Sequence, residues 1–422
     1  MKITIATLGT RGDIEPCIAL GNGLQTAGHE VRLAAPHKFE DLARERRVGF
    51  LPIKNGLRQM FEAEAGRDRL QEELNPIRLL YRRKTVIEPI VNRVFSDLWS
   101  AGQDTDMLLY TPLALPAYYI AKDMGIPAFP ACFQPLSRTR KFPSIFFPPF
   151  FSNMGSFNRV SHLLTEQFYW WFFRSAFARW RKKAGLSAVP YWGDFMAING
   201  QKSPVFNGYS PIVAPKPPDW GERKHVTGYW FLGPPSNWRP GPKLVDFLNS
   251  GKPPVCIGFG SMNDNRVEKT VIISIEALKK SNNRGIFLSG QSDLNQGELP
   301  HSDEIFVAKN VPHSWLFPKV SAVIHHGGAG TTAAAIKAGI PSIIIPFFFD
   351  QLFWGQRLAA LEVGPQPLSQ KKVSAETLAS AINETVNNEN FMHRIQILSG
   401  QVQAEEGVKN AVKSFHHELS RL

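Results

Sequence analysis

The most distinctive residues in this sequence form a glycine and histidine loop, HHGGAGTT, which runs from His325 to Thr332. The loop follows an apolar segment typical of a strand and precedes an alanine-rich segment typical of a helix. Glycines let a backbone approach a ligand closely, and a helix start offers unpaired N–H groups with partial positive charge. Thr331 or Thr332 can add a hydroxyl donor, and a histidine can add a ring donor. The combination predicts an anion site suited to a pyrophosphate.

Two other interpretations of this loop are weaker. A tight strand-to-helix turn around a core histidine needs fewer glycines than the three present here. A zinc site needs more ligands, and the adjacent His325 and His326 have no third and fourth ligand at a usable spacing.

A second strand-to-helix loop, TRGD at residues 10–13, occurs near the start of the sequence. Asp13 can act as a general base if it faces a ligand, or it can cap the helix that follows. Arg11 can meet a phosphate or remain solvated. A dinucleotide site is disfavoured, because G-x-G-x-x-G is absent here and the second strand ends without an acidic residue for a ribose.

Polar side chains also follow the apolar segment that ends at Ile345. Asp350 and Gln351 are adjacent there, and a carboxylate beside an amide suits the vicinal hydroxyls of a sugar. The alternative is that Asp350 caps the next helix and Gln351 is solvated. Asp104 and Asp106 match a D-x-D metal pattern but precede their strand, which is the wrong end for a site in a parallel sheet. We interpret that pair as structural.

The segments around these loops alternate between strand and helix patterns. Such alternation predicts parallel sheets with helices on both faces, and ligands at the carboxyl ends of the strands. The predicted strands are 2–8, 31–35, 106–110, 126–130, 254–259, 285–289, 304–308, 322–325 and 342–345. The predicted helices are one from about 14 that Gly28 stops, and 267–280, 329–338, 352–361, 375–387 and 401–419.

A segment rich in proline, glycine and tryptophan at 233–242 separates two blocks of this pattern and suits a linker. We therefore predict two doubly wound α/β domains, residues 1–235 and 236–422, with a helix near 401–422 that can pack back on the first. A chain of 422 residues is long enough for two such domains. A cleft between them is the expected ligand site.

Composition excludes several classes of protein. With 43% apolar and 20% charged residues, the chain is not generally disordered. No apolar run approaches the length of a spanning helix, the first residues resemble a strand rather than a signal peptide, and three distant cysteines argue against a disulfide framework. We therefore expect a cytoplasmic protein. The net charge of +12 is concentrated between residues 138 and 183, where nine Lys or Arg accompany one acidic residue.

The same region is rich in aromatic residues, with 14 among the 39 residues from Phe142 to Trp180. Three interpretations stay open: an apolar acceptor pocket, a membrane contact with rings at headgroup depth beside cations, and a plain core helix pair. Nucleic acid is not expected, because proline-rich helices are a poor stacking platform for bases. The core interpretation depends on one helical face, traced by Leu163, Leu164, Phe168, Trp171, Phe172 and Ser175.

Five segments together resemble nucleotide-sugar glycosyltransferases of family one with the GT-B fold, particularly sterol 3-beta-glucosyltransferases and bacterial antibiotic glycosyltransferases. The segments lie at 9–16, 258–262, 311–317, 325–332 and 346–351, and their order and spacing span nearly the whole chain. The resemblance implies two Rossmann-like domains that face a cleft. It also implies that the first domain binds an acceptor and the second binds a nucleotide-sugar donor.

The resemblance implies a role for each matching residue. Asp13 is the expected catalytic base, which removes the proton from the acceptor hydroxyl. Asp350 and Gln351 are expected at the sugar hydroxyls, and Val311 with His313 at the uracil nucleoside. The expected donor-binding residues are Thr10, Arg11, Gly12, Ser261, Val311, His313, His325, Gly328, Gly330, Thr331, Asp350 and Gln351. Neither a metal nor a further cofactor is expected.

The implied activity is inverting transfer of a hexose, glucose in the first instance, from a UDP-sugar to a hydroxyl of an apolar acceptor such as a sterol or triterpenoid. One alternative is glycosylation of a polyketide or another natural-product aglycone. Another is a non-catalytic lipid-binding or membrane-binding protein with a degenerate nucleotide site. The expected partners are the UDP-sugar and the apolar acceptor, with a peripheral membrane contact through residues 142–183 as a further expectation.

Overall fold

The computed structural model describes residues 1–54, 88–147, 154–192, 204–234, 238–260, 265–290, 304–309, 311–347 and 350–422. The chain divides into two units. The first contains residues 1–211, 215–232 and 406–422, and the second contains residues 212–214 and 233–405. Each unit is built on one sheet, and every described strand pair in both sheets is parallel.

The first unit has a seven-stranded sheet that is covered on both faces. Its strands are β1 (Lys2–Ala6), β2 (Glu30–Pro36), β3 (Gly49–Ile53), β4 (Met107–Tyr110), β5 (Ala128–Cys132), β6 (Val205–Asn207) and β7 (Lys224–Val226). Its helices before residue 232 are α1 (Arg11–Thr26), α2 (Glu40–Glu45), α3 (Glu88–Gly102), α4 (Pro116–Met124) and α5 (Gly155–Lys183). The strand order is β3-β2-β1-β4-β5-β6-β7. Along β4, Met107 and Leu109 enter one apolar core while Leu108 and Tyr110 enter the other, as the two-residue period of a strand requires.

The second unit has a five-stranded sheet in the order β10-β9-β8-β11-β12. Its strands are β8 (Val255–Gly258), β9 (Gly285–Leu288), β10 (Ile305–Ala308), β11 (Ala322–His325) and β12 (Ser342–Ile344). Its helices are α6 (Pro242–Asn249), α7 (Asn265–Lys280), α8 (His313–Leu316), α9 (Ala329–Ala338), α10 (Gln351–Ala360), α11 (Ala375–Asn387) and α12 (Glu389–Gln403); α13 (Gly407–Leu419) follows in the first unit. Val255 and Ile257 pack in one core and Cys256 in the other, so this sheet is also covered on both faces.

The end of the chain differs from the sequence prediction. The pattern predicts one helix over 401–419, whereas the structure has α12 and α13 with a break between them. A Cβ on Gly407 would overlap the carbonyl oxygen of Tyr229, so the backbone approaches closely there and glycine is required. From this contact α13 packs along α1, where Val408 and Val412 lie beside Gly23.

The aromatic segment contains one long helix, α5, within the described residues. Its buried side includes Trp170, which stacks on Tyr119 with ring centroids 4.9 Å apart, and Phe177, which meets Phe95 at 4.8 Å. The predicted core face is wrong, because these stacks select another side of the helix. Four residues of the predicted face are exposed: Leu163, Leu164, Phe168 and Trp171. Ser175 is half-buried, and the side chain of Phe172 lies outside the described residues. None of the described helices has both the length and the apolar character needed to cross a membrane.

Candidate functional site

Most candidate site residues of the second unit follow the carboxyl ends of the adjacent strands β8, β11 and β12. β11 ends at His325, Gly328 is the N-cap of α9, and Gly327 between them has a φ of 88°. A Cβ on Gly327 would lie 2.7 Å from both the Gln351 carbonyl oxygen and the Ile344 side chain. Glycine is therefore required here, and it brings the HHGG loop against Gln351, the first residue of α10.

The His325 ring is fully buried under this loop. Its Nδ1 accepts a hydrogen bond of 3.0 Å from the backbone N–H of Gly327. Burial, together with His326 and His313 nearby, holds the pKa of His325 well below its ordinary value, so the ring is neutral. Because Nδ1 accepts, the proton lies on Nε2, which is buried without a hydrogen-bond partner among the described residues. Such a donor near a helix start suits an anionic oxygen.

His326, which has no assigned role among the expected donor-binding residues, also contributes to the packing of these loops. A Cβ on Gly328 would overlap its Nε2, and a Cβ on Gly260 would lie 3.4 Å from its Cε1. The ring therefore lies between the loops that follow β8 and β11. The glycines of the two loops, with a φ of 69° at Gly260, are the sequence signal for this packing. Ser261, expected on the first of these loops, lies outside the described residues.

The two residues expected at the sugar hydroxyls are held by different contacts. The Oε1 of Gln351 accepts a hydrogen bond of 2.7 Å from the backbone N–H of Phe347. The Oδ2 of Asp350 accepts one of 2.9 Å from the indole N–H of Trp354, which is fully buried. The alternative that Gln351 is solvated is wrong, since it is 4% exposed.

The remaining donor residues of the second unit lie near the same loops. Val311 and His313 are half-buried at the start of α8, where the His313 ring stacks on Phe317 with centroids 4.4 Å apart. Helix α8 packs against α9, and Gly330 and Thr331 lie in the first turn of α9. The segments expected to hold the nucleoside and the diphosphate thus come together in one unit.

In the first unit, Asp13 lies in the first turn of α1, after the carboxyl end of β1. Its Oδ2 accepts hydrogen bonds from the Thr10 backbone N–H at 2.8 Å and from the Thr10 hydroxyl at 3.4 Å. Thr10 is the N-cap residue of α1, and Asp13 contributes to capping as the third helical residue of a capping box. Burial raises the pKa of the Asp13 carboxyl above its ordinary value, although the bonds from Thr10 oppose this. Among the described residues none donates to Oδ1. Capping therefore leaves one carboxylate oxygen able to take a proton.

The neighbours of Asp13 differ in what they contact. A Cβ on Gly9 would overlap the Asp13 carboxylate, so the carboxylate lies directly against the backbone of residue 9. Arg11 is exposed, and its Nε donates to Glu15 at 2.6 Å. Gly12 is exposed in the same turn. The structure thus places Arg11 in a surface ion pair and Asp13 in a partly buried position.

Two family models match the chain, one in each half. The glycosyltransferase family 28 N-terminal domain matches residues 3–140, and the erythromycin biosynthesis protein CIII-like C-terminal domain matches residues 286–414. The first match includes the loop of Asp13, and the second includes the loops of His325 and Gln351.

Curated relatives match over both halves together. The sterol 3-beta-glucosyltransferase of Arabidopsis thaliana is 34% identical over 427 residues, which cover 99% of this chain and 68% of that protein. The chain belongs to the sterol 3-beta-glucosyltransferase family. Members from Neosartorya fischeri and Aspergillus oryzae are also 34% identical over 99% of this chain. The chain spans 30% of the length of these two fungal sterol 3-beta-glucosyltransferases.

Solved structures place this member of the sterol 3-beta-glucosyltransferase family in the GT-B fold. The glycotransferase of kitacinnamycin is similar with a TM-score of 0.70 and 17% identity, over 99% of both chains. The glycosyltransferase VinC, solved in complex with dTDP, is similar with a TM-score of 0.66 and 17% identity over 100% of both chains. Similarity at this identity shows the fold, and the expected pair of Rossmann-like parallel-sheet domains is confirmed.

Proposed function

We propose that the protein transfers a hexose, glucose in the first instance, from a UDP-sugar to the hydroxyl of a sterol, with inversion at the anomeric carbon and without a metal. The observation that carries this proposal is the 34% identity to a sterol 3-beta-glucosyltransferase over 99% of the chain. The chemistry of the two loops described above supports the mechanism.

The donor side must stabilise a diphosphate whose negative charge grows as the sugar bond breaks. The first turn of α9 supplies backbone N–H groups at the positive end of a helix. His325 supplies a neutral Nε2–H donor, held in place by the bond that its Nδ1 accepts from Gly327. Fixed donors of this kind stabilise charge that develops in a transition state, which supports leaving-group stabilisation without a metal.

The acceptor side needs a base for the attacking hydroxyl. Burial makes the Asp13 carboxylate more basic than an exposed aspartate, and Thr10 holds its Oδ2. We assign the acceptor proton to Oδ1. The hydroxyl attacks the anomeric carbon opposite to the departing diphosphate, so a single displacement inverts the configuration. An α-linked UDP-sugar then gives a β-glycoside.

Asp13→Asn tests the assignment of the base, because asparagine retains an oxygen that can accept from Thr10. We expect transfer from UDP-glucose to a sterol to fall by about 100-fold or more, the usual contribution of general base catalysis. We expect the affinity for UDP, measured by calorimetry, to stay at the wild-type value. Transfer at the wild-type rate would exclude Asp13 as the base, and a lost affinity for UDP would show that the Asp13 side chain serves the donor instead.

A further inference from the structure

Helix α5 presents an apolar face that the core does not cover. Val160, Leu164, Phe168 and Trp171 follow one another at intervals of four, four and three residues, which places them on one side of the helix. They are 46–55% exposed, and Leu163 beside them is 38% exposed. Aligned large apolar side chains over three helical turns are typical of an interaction surface rather than of ordinary exposed residues.

The rest of the helix is firmly packed, so this face is presented on a fixed scaffold. Trp170, Phe177 and Trp180 lie in the core with helices α3 and α4. Towards the amino-terminal half, the Nε of Arg138 donates to both oxygens of the buried Glu166 at 2.9 and 3.0 Å. The exposed face is therefore a consequence of the fold and does not depend on a loosely held helix.

Positive charge surrounds the apolar face. Arg138 pairs with Glu166, and Arg181 pairs with Asp123. Six of the other seven cations between residues 138 and 183 are exposed and one, Arg174, is half-buried. The seven are Arg140, Lys141, Arg159, Arg174, Arg179, Lys182 and Lys183. Exposed cations therefore flank the apolar residues at both ends of the helix.

A groove of about 300 Å³ lies at the amino-terminal end of the face. Arginine and aliphatic residues line it together with one serine; its residues are Arg138, Arg140, Ser156, Arg159, Val160 and Leu163. A phosphate that meets Arg140 and Arg159 here would lie next to the apolar residues of the face. This combination fits an amphipathic ligand with an anionic head and an apolar tail.

We propose that this surface of α5 docks on a bilayer that contains anionic lipids. We call it the lipid face; it consists of the seven cations together with Val160, Leu163, Leu164, Phe168 and Trp171. The apolar side chains are buried at headgroup depth, and the Lys and Arg side chains meet lipid phosphates. The charge favours a lipid surface over a second copy of this chain, because pairing two lipid faces would bring like charges together. The proposal does not depend on the proposed function.

Vesicle co-sedimentation of the full chain tests this proposal. We expect binding to vesicles of phosphatidylcholine with added phosphatidylserine, weaker binding at high salt, and at least tenfold weaker binding to phosphatidylcholine alone. The double variant Leu164→Asp with Phe168→Asp should bind the mixed vesicles at least tenfold more weakly. Ile397→Asp is the matched control, because Ile397 is 51% exposed, as Leu164 is, but lies on α12 of the second unit. It should bind as the wild type does.

Melting curves separate loss of binding from loss of the fold. If the apolar double variant melts early, Lys182→Glu with Lys183→Glu changes only exposed residues at the end of α5 and should also weaken binding at least tenfold. Wild-type affinity in the folded variants, or equal binding to both kinds of vesicle, would overturn the proposal. The proposal would also be overturned if the wild type forms a dimer that the double variant dissociates while vesicle binding is unchanged. Asp13→Asn should bind vesicles normally, which keeps this outcome separate from failure of the transfer reaction.

Discussion

Replacing Gly9 by alanine tests whether the position of the Asp13 carboxylate sets the rate. The new Cβ would lie 2.1 Å from Asp13 Oδ2, while non-bonded atoms keep at least about 3 Å apart. The carboxylate must therefore move by about 1 Å, and this movement disturbs the 2.8 Å hydrogen bond that it accepts from the Thr10 backbone.

The expected magnitudes follow from that displacement. A shift of about 1 Å at a reacting group lowers the rate by about 100-fold. Loss of the capping bond costs about 1 kcal/mol of stability, which lowers the melting temperature by a few degrees. The affinity for UDP should fall much less than the rate, because most of the residues expected to bind the donor belong to the second unit.

Initial rates of sterol glycoside formation, measured by mass spectrometry, give the result. Gly21→Ala is the glycine-to-alanine control within α1, the helix that carries Asp13, because its Cβ would meet the nearest atom, on Val31, at an ordinary 3.4 Å. It should retain the wild-type rate. A Gly9→Ala rate close to that of the wild type would refute the reasoning, and an equal loss in Gly21→Ala would assign the effect to the helix in general.

His325→Ala should weaken UDP binding by about 10- to 100-fold, since a hydrogen bond to a charged group contributes about 1.5–3 kcal/mol; unchanged affinity in calorimetry would contradict its role as a donor. The melting temperature of Asp13→Asn should equal that of the wild type in acid and exceed it at neutral pH. The reason is that a carboxyl whose pKa is higher in the folded than in the unfolded state lowers the stability of the fold once the pH rises through these two pKa values. Melting temperatures of variant and wild type that change in parallel with pH would contradict this. Glu418→Gln should lower the free energy of unfolding of the first unit by about 3 kcal/mol. The fully buried Glu418 pairs with Arg223 at 2.6 Å and with His225 at 2.8 Å, and an unchanged denaturation midpoint would show that these pairs contribute little.

Helices and strands that have a clear hydrophobic periodicity and a glycine at one end could be predicted from the sequence. Strand β11 and helices α9 and α11 have the predicted bounds, and Gly339, with a φ of 70°, ends α9. The break before Gly407 could not be predicted, because it depends on contact with Tyr229, far away in sequence. Which side of α5 is buried could not be predicted either, because apolar residues occur on more than one side of this helix.

At the candidate site of the second unit, residue types predicted that the loops lie at strand ends, but not how each side chain is held. The glycines and histidines of 325–332 indicate a loop at a strand end, and the structure places it there. That His325 is fully buried, that His326 lies between two loops, and that Gln351 is buried depend on tertiary packing. For Asp13, the capping and the catalytic interpretations are compatible, since capping uses only one carboxylate oxygen.

The most direct measurement of the central proposal is the anomeric configuration of the product formed from UDP-glucose when a sterol and a polyketide aglycone are offered together with a metal chelator. The proposed function predicts a sterol β-glucoside, formed at the same rate with and without the chelator. An α-glucoside, a reaction that the chelator stops, or glucosylation of the aglycone in place of the sterol would contradict it.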